Sequence, residues 1–321
     1  MARAGRWRKP KAAFDRLGSG AVLGGDDPLT PGLPGGRRER GRAVTAAASD
    51  WLKRYLALLG LERAAPSLDG LGRLVRAQVA TVAFENSRSL LRRAAAGAGP
   101  VAPIDPEALL AAWEARGAGG VCFEHTELFG RLLRGLGYSV VSLAGEISFP
   151  GSHQALLVEV GGARWLVDVG NGAPFFEPVP LDRPFEVRRA GLGYRFGPDP
   201  AGDGAWLQER ALEGGWKPFC RYLLRPQPLE DREVAYQRHH RVGETWVTGQ
   251  VVLVRVGEDE VRVFRDGALT RYRPGGKVAE RIEGGAAWAR LPALLQLPAL
   301  PLAQVVRAWA AINGRALPPG L

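Results

Sequence analysis

Two β-rich runs joined by Gly161-Gly162 constrain this chain more than any other stretch. A Gly-Gly pair between residues 152–160 and 163–170 reads as a two-residue primed turn, which pairs Val160 with Ala163 and fixes the register backwards from there. Ala155 then falls opposite Asp168, and His153 opposite Gly170. Side chains alternate with period two, so His153 and Asp168 share one face as diagonal neighbours, roughly 7–8 Å apart at Cα. On the other face Leu156, Val158, Val160, Trp165, Val167 and Val169 are continuously apolar and belong to a core. A His and an Asp on paired strands are often structural. The same pair is also what a catalytic base needs, because the carboxylate fixes the imidazole tautomer and stabilises the imidazolium.

Upstream, the run from Gly119 to Leu133 supplies a possible partner. Leu128, Phe129, Leu132, Leu133 and Leu136 recur with helical spacing and predict an amphipathic helix from about Cys122 to the Gly135/Gly137 stop. Cys122 stands at its N-terminus, where unpaired N–H groups and the macrodipole favour a thiolate. Gly119 and Gly120 remove side chains where a substrate carbonyl would meet the thiol. A small apolar Cys packed under a glycine turn is the plain alternative. The order Cys122, His153, Asp168 suits a thiol nucleophile, its base and the residue that orients the base.

These elements resemble the arylamine N-acetyltransferases. The resemblance covers residues 51–180 well and the remainder weakly. It begins at Tyr55-Leu56-Ala57-Leu58-Leu59-Gly60-Leu61 with Pro66-Ser67-Leu68-Asp69-Gly70-Leu71. Val82-Ala83-Phe84-Glu85-Asn86 is similar to the family's Pro-Phe-Glu-Asn element, with Ala83 in the Pro position. Gly119-Gly120-Val121-Cys122-Phe123-Glu124 matches the nucleophile motif, and Ser152-His153 with Asp168-Val169-Gly170-Asn171-Gly172 matches the His and Asp motifs. The resemblance implies an acetyl-CoA-dependent transferase with a cysteine-protease-like core, a small-molecule amine acceptor and Cys122, His153 and Asp168 as its triad. The chain departs from the family at three points. Ala118 stands where Arg usually precedes the Gly-Gly run, Thr126 where Asn usually follows the Cys, and Asn171 where an aromatic residue is common.

With 321 residues, 46% of them hydrophobic, the chain can bury a substantial core. No apolar run reaches the length of a membrane span, and no signal-peptide pattern opens the chain, so a soluble, cytoplasmic protein is expected. Cys122 and Cys220 make no disulfide framework, and four scattered histidines make no metal cluster. The net charge of +10 raises the question of nucleic acid. Its location argues against it: residues 1–49 hold ten basic against four acidic side chains, six of the ten net charges. Rich in Gly, Pro and Ala and without periodicity, residues 1–48 read as a basic, disordered extension. Met1 is the only methionine, and Val44 is a candidate alternative start.

The fold expected from these patterns is α+β. Residues 49–137 read as helical and carry the nucleophile. Ser49 or Asp50 caps a helix bearing Trp51, Tyr55, Leu58 and Leu59, and Ser67 or Asp69 starts one bearing Leu71, Leu74, Val75 and Val79. Phe84-Glu85-Asn86 reads as a turn, 94–103 as loose, and 105–115 as a further helix. Residues 138–245 switch to period two, with strands at 138–143, 185–189 and 216–224 besides the hairpin, and read as a β-barrel or half-barrel carrying His153 and Asp168. A proline-punctuated stretch at 174–184 wraps an edge. Cys220 reads as structural, and His239-His240 as a solvated loop. Residues 246–321 form an α/β unit, a meander of 250–256, 261–265 and 268–273 with a turn at Asp266-Gly267, then a helix at 302–312. Meander and helix together look like the family's lid domain. No P-loop or dinucleotide fingerprint localises coenzyme A. The leading reading is acetyl transfer to an arylamine, hydrazine or hydroxylamine through an acyl-cysteine. An amide synthase on a larger acyl thioester, a thiol amidohydrolase, an inert binding module and a nucleic-acid-binding protein are the alternatives.

Overall fold

The computed structural model describes residues 49–265, 267–318 and 320. The basic extension over 1–48 and Asp266 of the expected hairpin turn lie outside the described residues. Helix α1 (49–58) turns Trp51 and Tyr55 into the core, and Leu59, just past its end, is buried with them. It is already formed at residue 49, so Ser49 and Asp50 lie within it rather than capping it. Helix α2 (Leu68–Thr81) starts on Ser67, whose hydroxyl accepts from Gly70 N at 3.0 Å, and buries the expected Leu71, Leu74, Val75 and Val79.

Phe84-Glu85 is not the expected turn but a short strand, β1 (Phe84–Glu85), followed at once by α3 (Ser87–Ala96). Two residues are too few to show a period, so only their distant partner reveals the strand. Helix α4 (Pro106–Glu114) is capped by Asp105, which accepts from Glu107 N and Ala108 N. Helix α5 (Cys122–Leu136) stops on Gly137, whose φ of 95° is left-handed. Leu128, Phe129, Leu132 and Leu133 are fully buried. Each such side chain contributes about 1.5–3 kcal/mol, so this stripe locks the rotation and depth of α5 and with them the position of Cys122.

The second part of the chain builds β2 (Ser139–Glu146), β3 (His153–Val160), β4 (Ala163–Val167), β5 (Val179–Pro180), β6 (Phe185–Arg189), β7 (Leu192–Pro198), β8 (Trp206–Leu212) and β9 (Gly215–Pro226). They form an antiparallel, nearly closed barrel-like sheet in the order β5-β4-β3-β2-β9-β8-β7-β6. The β3–β4 register is the one the Gly-Gly turn predicts, with Val160 opposite Ala163, Val158 opposite Trp165 and Leu156 opposite Val167. Gly161 and Gly162 both have positive φ, 63° and 74°, as a primed turn requires. Both faces of the hairpin are buried at the end away from the turn. Leu156, Val158 and Val167 pack with α5 in the helical core, while Leu157 and Leu166 join Phe175, Phe196 and Tyr222 inside the barrel. Strands β7 and β8, not identified from the sequence, complete the sheet.

Helices α6 (Leu229–His239) and α7 (Trp246–Gly249) lead into β10 (Val252–Val256), β11 (Val261–Arg265), β12 (Ala268–Arg273) and β13 (Gly276–Arg281), then α8 (Gly285–Ala289), α9 (Leu291–Leu294) and α10 (Leu302–Asn313). The expected meander is the centre of a five-stranded sheet, β1-β10-β11-β12-β13. Strand β13 escaped notice because all its residues are exposed and show no alternation. Strand β1 pairs Phe84 with Val254 and Glu85 with Leu253, which ties the chain just ahead of α3 to the C-terminal sheet. His239-His240 is not a solvated loop. The pair closes α6 with 3% and 0% exposure, because the His239 ring packs against Phe123, Phe149 and Trp246. Among the described residues no helix is long and apolar enough to cross a membrane.

Candidate active site

Cys122 is the first residue of α5 and is 3% exposed. The loop before it is held at every polar backbone atom. Gly119 N donates to Glu85 Oε1 at 2.7 Å, and Gly119 O accepts from Trp113 Nε1 at 2.8 Å. Gly120 N donates to Ala83 O at 3.3 Å, Gly120 O accepts from Glu85 N at 2.9 Å, and Val121 N donates to Glu124 Oε2 at 3.2 Å. The glycines are needed for space. A Cβ on Gly119 would lie 1.9 Å from Ala83 O, and one on Gly120 2.6 Å from Glu124 Cβ.

His153 opens β3, and Asp168 follows the last residue of β4. The preceding turn closes on the Ser152 hydroxyl, which accepts from the backbone N–H groups of Ile147, Ser148 and Phe149. His153 Nε2 lies 2.7 Å from Asp168 Oδ2, so the Nε2–H donates to the carboxylate and Nδ1 is the nitrogen left to take or give a second proton. Cys122 acts electrostatically on the imidazole. Burial alone would pull the His153 pKa down, but the charges of Asp168 and Cys122 outweigh it and hold the imidazolium above its usual range. Asp168 is driven the opposite way. Burial would raise its pKa, yet His153, Tyr222 and Asn171 together hold it below the usual carboxylate range. Its Oδ2 accepts from Tyr222 OH at 2.7 Å and Asn171 Nδ2 at 2.9 Å, and its Oδ1 from Gly170 N at 3.2 Å. The same loop abuts the helix that carries Cys122: a Cβ on Gly170 would sit 2.7 Å from Cys122 Cα.

The three sequence-predicted residues therefore meet in one buried cluster. Tyr222 and Gln208, which adjoin it, were not identified from the sequence. The one available signal was the shared face of Cys220 and Tyr222 two residues apart on a predicted strand. What that face meets depends on β9 pairing with β2, a contact between distant segments. Cys220 is 1% exposed on the same side, and burial pushes its thiol well up. His125 lies one turn beyond Cys122 in a buried relay: Tyr55 OH donates to Gln78 Oε1 (2.9 Å), Gln78 Nε2 to His125 Nδ1 (3.2 Å), and His125 Nε2 to Ala83 O (3.2 Å). Burial pulls its pKa down to about 4, so it stays neutral. Two of the family departures find partners, since Thr126 Oγ1 donates to Gln154 O at 3.2 Å and Asn171 serves Asp168. Ala118 is buried. Among the described residues no three His, Cys, Asp or Glu side chains group as a metal site.

A thiol beside a buried imidazole–carboxylate pair is equipped for acyl transfer. The sequence profile of a family described as N-acetyltransferase matches residues 67–287. The arylamine N-acetyltransferase of Mycolicibacterium smegmatis is 32% identical over 247 residues, 72% of this chain and 86% of that protein. Proansamycin X synthase of Amycolatopsis mediterranei is 27% identical over 228 residues, 62% of this chain and 85% of that protein. The structure of Mycobacterium marinum arylamine N-acetyltransferase in complex with CoA superposes with a TM-score of 0.70 at 26% identity, covering 83% of this chain and 100% of that one. The chain belongs to the arylamine N-acetyltransferase family.

Proposed function

We propose that the chain moves an acetyl group from acetyl-CoA to an arylamine, hydrazine or hydroxylamine through a thioester on Cys122. The observation that carries this reading is the buried chain of contacts from Asp168 Oδ2 to His153 Nε2 (2.7 Å) and from the imidazole to Cys122. Donor chemistry fits the residues present: a thioester exchanges with a thiol at little cost, whereas its aminolysis runs downhill. In the first half-reaction the Cys122 sulfur attacks the thioester carbonyl carbon, with its proton held on His153. Collapse of the tetrahedral intermediate breaks the bond to the coenzyme A sulfur, which takes the proton from the imidazolium. In the second, the amine nitrogen attacks the acyl-cysteine and His153 takes a proton from the amine. Collapse then breaks the carbon–sulfur bond and restores Cys122. Asp168 keeps the imidazole in the tautomer both steps need. The Cys122 N–H, at the first helical position and without an intrahelical partner, is suited to bind the oxyanion. Free thiols at Cys122 and Cys220 fit a reduced, cytoplasmic setting.

Incubation with acetyl-CoA without amine, followed by intact mass and peptide mapping, tests the reading. One acetyl group on the Cys122 peptide is expected, lost on adding an arylamine or hydrazine with release of the N-acetyl product and ping-pong kinetics. Discharge to water alone would support an amidohydrolase instead. A second reading, amide synthesis on a larger acyl thioester, is favoured by the similarity to proansamycin X synthase. It takes over if acetyl-CoA leaves Cys122 unlabelled and longer acyl thioesters label it.

A further inference from the structure

Glu85 is a carboxylate with 1% exposure, and among the described residues no cation pairs with it. Leaving a carboxylate unpaired in a protein interior costs several kcal/mol, so packing alone gives no reason for it. Both oxygens are taken by backbone N–H groups. Oε2 accepts from Ser87 N at the start of α3, a bond local to its own segment. Oε1 reaches across to Gly119 N, 34 residues away in sequence, at 2.7 Å. The Glu85 backbone continues the same contact, because its own N–H donates to Gly120 O at 2.9 Å. One residue thus holds both glycines that lead into Cys122.

We propose that Glu85 is a positioning residue for the nucleophile loop, its ionised carboxylate setting the path of Gly119-Gly120 and so the placement of the Cys122 sulfur and N–H. The proposal rests on Cys122 being the nucleophile. Its chemistry requires the ionised form. With an N–H aimed at each oxygen, a protonated carboxyl would point a donor at a donor. The charged groups facing Glu85 are Glu124 from α5 and Arg88 and Arg92 from α3, while β10 opposes it with Leu253. Arg92 is bound to Glu124, which leaves Glu85 held by the Ser87 hydroxyl and by the backbone donors of Ser87 and Gly119. Burial pushes its pKa up, the Ser87 and Gly119 bonds pull it down, Glu124 adds to the rise, and the balance lies above the usual range. The hold on the loop therefore weakens in mild acid before the His153–Asp168 pair is lost.

Glu85→Gln tests this. Its amide must aim an NH2 at one of the two N–H groups while changing shape least. In the parent, the rate of Cys122 alkylation by iodoacetamide should fall on the acid side with an ionisation belonging to Glu85. In the variant that ionisation should vanish and the rate at neutral pH drop roughly tenfold or more, as expected for a small misplacement of a reacting group. The same rate and the same pH profile in both proteins would overturn the proposal. If the variant does not fold, the parent still decides. The Gly119 amide shift in a ¹⁵N NMR titration should follow the ionisation of Glu85, and a shift that stays flat through the acid range would overturn it. Iodoacetamide reactivity does not involve an acyl donor, so failure of acetyl-CoA labelling in the parent counts against the function and leaves this readout intact.

Discussion

Asp168 accepts from four groups, His153, Tyr222, Asn171 and Gly170, and in the proposed mechanism only the first takes part in proton transfer. The other three hold the carboxylate still, which is why the imidazole keeps one orientation in a buried site. Asp168→Asn should leave the fold intact yet slow Cys122 acetylation by roughly ten-thousand-fold, since an amide favours the wrong imidazole tautomer. Single-turnover labelling with acetyl-CoA measures it. Other histidines carry a stability signature. His125 and His239 stay neutral in the fold, held at about 4 and about 3 mainly by burial, against an ordinary 6.5. As pH falls below 6.5 the unfolded chain gains protons there and the folded chain does not. Stability should therefore fall through this window by roughly 1.4 kcal/mol per pH unit for each histidine. His153 has the opposite sign: its raised pKa contributes fully below 6.5 and is lost as pH rises through the folded value. Replacing His239 by Phe, which suits its aromatic surroundings and removes an unpartnered buried Nδ1, should flatten the acid slope in urea denaturation at pH 5 and 7.

At the scale of elements, the site depends on how closely α5 approaches the loop after β4. Gly170 has no room for a methyl, because a Cβ would sit 2.7 Å from Cys122 Cα, which is backbone and cannot rotate away. Gly170→Ala should push the helix start and the loop apart and reduce Cys122 alkylation by about tenfold or more while the far-UV spectrum stays near that of the parent. An unchanged alkylation rate would mean that the loop yields instead. The limits of α5, a start for α2 at Ser67 or Asp69 and the Gly161-Gly162 register were legible, since each rests on contacts within a few residues. Strands β7, β8 and β13 were not. The side chains of β7 and β8 alternate weakly and those of β13 not at all, and pairing along the sheet, rather than their own pattern, makes them strands.

Across the whole molecule, Asn86 fastens the helical region to the C-terminal sheet. Its Nδ2 donates to Val247 O and Gln250 O, both at 2.7 Å, and its Oδ1 accepts from Val252 N at 2.9 Å. Asn86→Ala would remove these three hydrogen bonds, of which those to Val247 O and Val252 N are buried. At about 1–3 kcal/mol for each buried group left unsatisfied, a loss of at least about 2 kcal/mol is expected, read as a lower urea midpoint. Because β1 lies between this anchor and the Gly119-Gly120 loop, the variant should also slow Cys122 acetylation. Normal labelling kinetics at full folding would show that the Gly119-Gly120 loop is held without it.

The sequence by itself determined the hairpin, the helix that presents Cys122, and the shared face of His153 and Asp168. All three follow from short-range rules: turn geometry, helical spacing and strand alternation. It also carried the family resemblance, through motifs in a fixed order. Only the tertiary structure decided what surrounds them. Glu85 and Asn86 read as a helix-end turn until β10 pairs with them, and His239 reads as solvated until Phe123, Phe149 and Trp246 close over it. Tyr222 reaches Asp168 from 54 residues away. Such contacts are fixed by packing between segments remote in sequence, and no local pattern of residues encodes which remote segment will be there.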